Sequence, residues 1–161
     1  MYFIKKEGRI MNTCIEIIPS YHVAYIRRTG PYGSENSKIM EQLKSWAIEK
    51  NLFNEGSIIL GIAQDNPKFT EPKNCRYDAC LVVSEEFKID DKYINLGKII
   101  GGEYCIFKIS HTADAIQKAW MEIFVELSKR NYQFDDKRPI LERYKIQMIN
   151  KHLCEICVPI I

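Results

Sequence analysis

The sequence predicts an α+β fold: two strand–helix–strand–strand units in a pseudo-twofold repeat, forming one long antiparallel sheet with two helices packed on one side. Three observations carry that prediction. β-rich runs and two amphipathic helical stretches follow the order strand, strand, helix, strand, strand, and then the same again. The halves, about 13–85 and 93–161, echo each other at an offset of roughly eighty residues. Ala24-Tyr25-Ile26 answers Tyr104-Cys105-Ile106, Lys50-Asn51-Leu52 answers Arg130-Asn131-Tyr132, and Asp78 answers Glu155. Each half alone would leave a sheet face bare, so joining them completes one layered domain. The seam between them is a natural concave site.

Residues 1–12 read as an extension that needs no fold of its own, with Met11 as an alternative start. Thr13–Ile18 is a short strand stopped by Pro19, and His22–Thr29 is a second, rich in β-formers. Gly30-Pro31-Tyr32-Gly33 breaks it. Ser34 is placed to cap a helix reaching Lys50, with Ile39, Leu43, Trp46 and Ala47 on its apolar face. Ser57–Ala63 is a largely apolar strand, the two prolines of Gln64–Asn74 make a loop, and Arg76–Val83 is a strand. Tyr93–Ile100 and Glu103–Ile109 are strands divided by Gly101-Gly102. Thr112 caps a helix over Ala113–Arg130, whose stripe is Ile116, Trp120, Ile123 and Leu127. Two strands within Pro139–Ile161 close the chain.

The 161 residues are 46% hydrophobic, enough for a real core in one domain or two small fused halves. Formal net charge is +2 and the basic residues are dispersed, which argues against a nucleic-acid surface. No run approaches the ~18–20 apolar residues of a membrane span, and MYFIKKEGRIM lacks the apolar core of a signal peptide. A cytoplasmic protein with six reduced cysteines is expected. Cys154-x-x-Cys157 has a redox or metal spacing, but on a strand the pair points to opposite faces and no second pair completes a set. No metal and no cofactor are expected.

Candidate site residues cluster in the closing segment. Alternation puts Glu142 and Tyr144 on one face, and Arg143 and Lys145 on the other. The two bases want water, so Glu142 should point inward. Glu155 shares a face with Leu153 and Cys157. An inward carboxylate must be paired, protonated or waiting for a cation. Two acids on neighbouring strands would share a proton or attract a dication together. The structural alternative for both is an ion pair with a core base. Trp120 and Trp46 either pack helix on sheet or wall a groove, where an aromatic face binds cations. Tyr32 at a helix entrance, Tyr104 at a strand start and Tyr144 beside Glu142 are further lining candidates. His111 next to Ser110 makes no catalytic dyad, because chain neighbours rarely adopt that geometry. Asp78 is expected to pair with Arg76 or Lys73.

Val23-Ala-Tyr-Ile-Arg-Arg-Thr-Gly-Pro-Tyr-Gly33 resembles the opening signature of the GyrI-like family. These are small-molecule-binding domains similar to the DNA gyrase inhibitor and to effector-binding domains of AraC-type and MerR-type regulators. Gly61-Ile-Ala-Gln-Asp-Asn-Pro67 before Cys75-Arg-Tyr-Asp-Ala-Cys80, Gly101-Gly-Glu-Tyr-Cys-Ile-Phe107 before Trp120, and Leu141-Glu-Arg-Tyr144 before Glu155-Ile-Cys-Val-Pro-Ile160 extend the resemblance over nearly everything after about residue 13. It implies a ligand groove between the halves with a central glutamate, which by motif is Glu142. It also implies cationic aromatic ligands walled by tyrosines, as in members that bind drugs. A few relatives instead hydrolyse cyclopropane-containing dienones with a tyrosine and a glutamate; here those roles would fall to Glu142, Glu155 and Tyr104. Regulators of this kind carry a DNA-binding module before the domain, and only about a dozen residues precede the first strand here. A stand-alone domain with no direct DNA contact is expected, acting through a protein partner such as a regulator or gyrase if it touches transcription or supercoiling. The best-supported function is binding a small amphipathic cation. Hydrolysis of an electrophile is the second reading, and gyrase modulation the third.

Overall fold

The computed structural model describes residue 10 and residues 12–161. The extension expected over residues 1–12 therefore lies mostly outside the described residues, although Asn12 already belongs to the first strand. Elements follow as β1 (Asn12–Ile18), β2 (Tyr21–Thr29), α1 (Glu35–Glu49), β3 (Ile58–Ala63), β4 (Arg76–Val83), β5 (Asn95–Ile99), β6 (Gly102–Ser110), α2 (Ala113–Lys129), β7 (Leu141–Lys145), α3 (Ile146–Ile149) and β8 (Leu153–Pro159). The predicted α+β class holds. All eight strands form one antiparallel sheet in the order β1-β6-β8-β7-β3-β4-β2-β5.

That order contains an exchange. β1 pairs with β6 and β5 pairs with β2, so the opening strand of each half lies at the edge of the other. The β1–β2 and β5–β6 connections must therefore cross. They meet where the Gly101 amide donates to Ser20 Oγ at 3.0 Å. A Cβ on Gly101 would run into the backbone carbonyl of Ile18 and the backbone of Pro19 and Ser20. Backbone cannot rotate aside as a side-chain tip can, so Gly101→Ala should lose about 1–3 kcal/mol of stability as overpacking. A urea titration reads this directly, and an unchanged midpoint would show that the crossing is loose.

Both helices lie on one face. Leu43, Trp46 and Ala47 of α1 pack on Ile59, Tyr77 and Leu81. Ala119, Ile123 and Leu127 of α2 pack on Cys105, Phe107 and Ile156. Tyr144 touches both clusters, so it sits in the seam between the helices. The opposite face is buried without any helix layer. Its cluster joins Tyr21, Val23 and Ile99 from one end of the sheet to Ile18, Tyr104 and Ile106 from the other. Arg143 on the central β7 reaches both Glu16 on β1 and Tyr21 on β2, each three strands away in the sheet order, so the sheet curls strongly over this face, as twisted sheets do.

This curl overturns one premise of the sequence reading. Arg143 was expected in water, yet it is 1% exposed. Its face is the concave one, and its guanidinium is held there by Glu16, Glu155 and Tyr21. Asp78 also finds a different partner from those expected. Register sets it opposite Arg27, whose Nε and Nη2 donate to it at 2.7 and 2.9 Å, while Arg76 binds Asp65. Directly opposed residues on adjacent strands lie closer than residues two apart on one strand.

Thr112 caps α2 as expected, its Oγ1 accepting from the Ala115 amide at 3.1 Å. Ser34 makes no side-chain cap; it is itself in helical conformation, and its carbonyl accepts from Ser37 Oγ. The single turn of α3 was not foreseen. None of the described helices is long and apolar enough to cross a membrane.

Candidate ligand-binding site

The seam is floored by β7, the strand that joins the two halves of the sheet. Glu142 projects from it on the helix side, flanked by Gly61 of β3 and Ile156 of β8. Tyr144 is two residues on and shares that face, so its hydroxyl reaches back and donates to Glu142 Oε2 at 2.7 Å. A second phenol arrives from β4. The Tyr77 hydroxyl sits over Gly61, where a Cβ would collide with it and stand 3.3 Å from Glu142 Oε1. The missing side chain at Gly61 is what lets this second phenol approach the carboxyl.

Protein surrounds Glu142 closely, yet solvent still reaches the residue. Burial raises its carboxyl above the usual carboxylate range, and the Tyr144 hydrogen bond, with the Tyr77 phenol nearby, pulls partly back. Among the described residues no lysine or arginine pairs with it. Burial first, then the neighbouring carboxyl, pushes both phenols upward, so they remain protonated donors. The His111 ring stands at the entrance to α2, 5.4 Å from the Tyr144 ring and tilted by 59°. Burial lowers its basicity, and Lys44 and His152 add to that, which favours the neutral imidazole.

The other sequence candidates divide. Tyr32 stands behind Tyr77: their rings meet edge-on at 6.5 Å, and its hydroxyl donates to the Arg76 carbonyl at 2.8 Å. Trp120 is half-buried against the cluster beneath α2. Trp46 is buried beneath α1, edge-on to Phe87 at 6.4 Å, with an indole nitrogen that finds no partner among the described residues. Glu155 and Tyr104 do not join Glu142. Both lie on the concave face, Glu155 bound to Arg143 Nε at 3.0 Å and Tyr104 donating to the Ile100 carbonyl at 3.0 Å. The shared proton suggested for two neighbouring acids thus has no geometry to support it. Cys154 belongs to the helix-side cluster and Cys157 to the concave one. Among the described residues, no group of three or more His, Cys, Asp or Glu gathers to hold a metal ion.

Tyr77, Gly61 and His111 were missed as site residues. The one available signal was a glycine inside an otherwise apolar strand, which marks a close approach. Chemically, the constellation is one carboxyl, a phenol that donates to it, a second phenol beside it and a neutral imidazole, an arrangement that can receive positive charge. Residues 11–161 match the family model for the GyrI-like small molecule binding domain. The chain belongs to the GyrI-like family.

This GyrI-like chain is 41% identical over 151 residues to the SPbeta prophage-derived protein YosT of Bacillus subtilis (strain 168), covering 93% of itself and 99% of YosT. It is also similar to the crystal structure of the EcmrR C-terminal domain, with a TM-score of 0.73 at 17% identity over 93% of this chain and 97% of that one. In the EcmrR–DNA complex the match has the same TM-score of 0.73 and spans 57% of the EcmrR chain. SAV2435 bound to tetraphenylphosphonium matches with a TM-score of 0.59 at 15% identity, covering 94% of both chains. At such identities the solved structures share the GyrI-like fold with this chain, and the likeness extends no further.

Proposed function

We propose that this GyrI-like domain captures a small, amphipathic, aromatic cation in the seam between its helices, for sensing or sequestration. The observation that carries the reading is a carboxyl at the centre of the sheet, enclosed by protein, bound by the Tyr144 phenol with the Tyr77 phenol beside it, and without a basic partner among the described residues. Such a group is costly to ionise in isolation, and an incoming cation would compensate it. Tyr144 and Tyr77 would offer ring faces to the same guest, with Trp120 and Trp46 as more distant walls. The phosphonium held by the similarly folded SAV2435 is a ligand of this class. In this reading the chain touches no nucleic acid itself, and any effect on transcription passes through a partner.

Titration calorimetry with tetraphenylphosphonium, and with triphenylphosphine oxide as an uncharged counterpart, tests the reading. The cation should bind once per chain and far more tightly than the neutral compound. Equal binding of both, or of neither, would overturn it. The 2.7 Å bond between Tyr144 and Glu142 keeps one hydrolytic alternative, with Tyr144 or Tyr77 replacing Tyr104. Loss of an electrophilic dienone with the wild type but not with Glu142→Ala would favour that alternative.

A further inference from the structure

We infer that the β1 edge and the outer side of α2 form a twofold interface between two copies of this chain. β1 ends the sheet and pairs only with β6 among the described residues. Its residues Ile15 and Ile17 lie on the helix side, since Ile15 opposes Cys105 of the cluster under α2. They are 39% and 76% exposed, and α2, which borders the start of β1, exposes Met121 (76%) and Val125 (55%). Single exposed apolar residues mean little, but several on an unpaired strand and on the helix bordering its start mark an interaction surface.

Edge strands are normally guarded by charge, proline or a bulge. β5, the other edge, has Lys98 on its helix side and only five residues. β1 has seven residues, and its one charge, Glu16, is already bound to Arg143. The edge that invites strand addition is therefore β1.

The charge pattern selects a second copy as the occupant. An open depression of about 670 Å³ runs between α2 and the start of β1. Met121 and Val125 line it together with Glu122, Glu126, Lys129 and Arg130. Lys129 and Arg130 both turn to Glu126, at 3.5 and 3.8 Å, so two bases share one acid. Glu122, one turn earlier, has no ion-pair partner among the described residues. A twofold axis perpendicular to the sheet would set β1 antiparallel to its copy and α2 antiparallel to its copy. Glu122 of each chain would then face the surplus base of the other. The patch is complementary to itself, as a closed twofold dimer requires.

Sedimentation velocity on the full chain tests this. The wild type should sediment with twice the chain mass and dissociate on dilution. Ile17→Lys should raise the dissociation constant by at least about tenfold. Leu96→Lys, on the β5 edge, should leave it unchanged. Glu122→Lys should weaken the dimer, and adding Lys129→Glu should restore it, a rescue that a merely structural role would not give. Circular-dichroism melts verify folding; if Ile17→Lys does not fold, Met121→Lys on the helix surface carries the same expectation. A wild type that stays monomeric at high concentration overturns the inference. So does a dimer broken by Leu96→Lys and not by Ile17→Lys.

Discussion

Arg143→Met should lower the unfolding free energy by about 3–5 kcal/mol, the usual penalty for removing one member of a buried charged cluster. Surface ion pairs contribute far less, about 0–1 kcal/mol, so the size of the loss distinguishes the two cases. The guanidinium is 1% exposed and fully engaged. Nε donates to Glu155 at 3.0 Å, while Nη1 and Nη2 donate to the two oxygens of Glu16 at 2.7 and 3.1 Å. Nη1 also lies 3.3 Å from the Tyr21 hydroxyl. Methionine of similar length would fill the space but leave both acids facing it, with only Lys145 at 3.7 Å from Glu155. The pH dependence has a definite sign. The Arg143 hydrogen bond holds the Glu16 carboxyl below its ordinary value, against the opposing effect of burial. Its contribution is therefore present above the unfolded value and disappears as pH falls through the lower folded value. The gap between wild type and variant should narrow in acid. A urea-midpoint difference worth less than about 1 kcal/mol would mean that the cluster behaves like a surface pair.

Glu142→Gln should act in opposite directions on binding and on stability. Affinity for tetraphenylphosphonium should fall by about tenfold to a hundredfold, the range for losing an interaction with a charged group. The unliganded variant should melt higher at neutral pH. Burial raises the Glu142 carboxyl above its unfolded value, so stability is lost as pH rises from that value through the folded one. A neutral amide removes the loss. Wild-type affinity should also weaken as pH drops through the folded value, whereas the variant's should stay flat. A variant that binds the cation as the wild type does would remove Glu142 from the site.

Element boundaries were largely legible because hydrophobic periodicity is a local property. The Arg76–Val83 strand matches its predicted span, and both long helices match to within a residue or so at each end. Alternation also separated Cys154 from Cys157 and turned Glu142 away from Arg143. What alternation cannot give is which face is wet. Both faces of β7 are covered, because the sheet curls over one and the helices flank the other, so the inference about Glu142 rested on a false premise about Arg143. Nor can it give register between distant strands. Glu155 opposes Arg143 and not Glu142, and this excludes it from the seam. The same long-range register brings Tyr77 of β4 across β3 to β7, which no local pattern announces.

The exchange of opening strands has a consequence for how the molecule holds together. A chain severed in the connection between β4 and β5 would not yield two independent miniature proteins, since each fragment would carry away the border its sibling needs. The pieces would be interlaced like clasped fingers, and what reads in the sequence as tandem duplication is in space a mutual embrace.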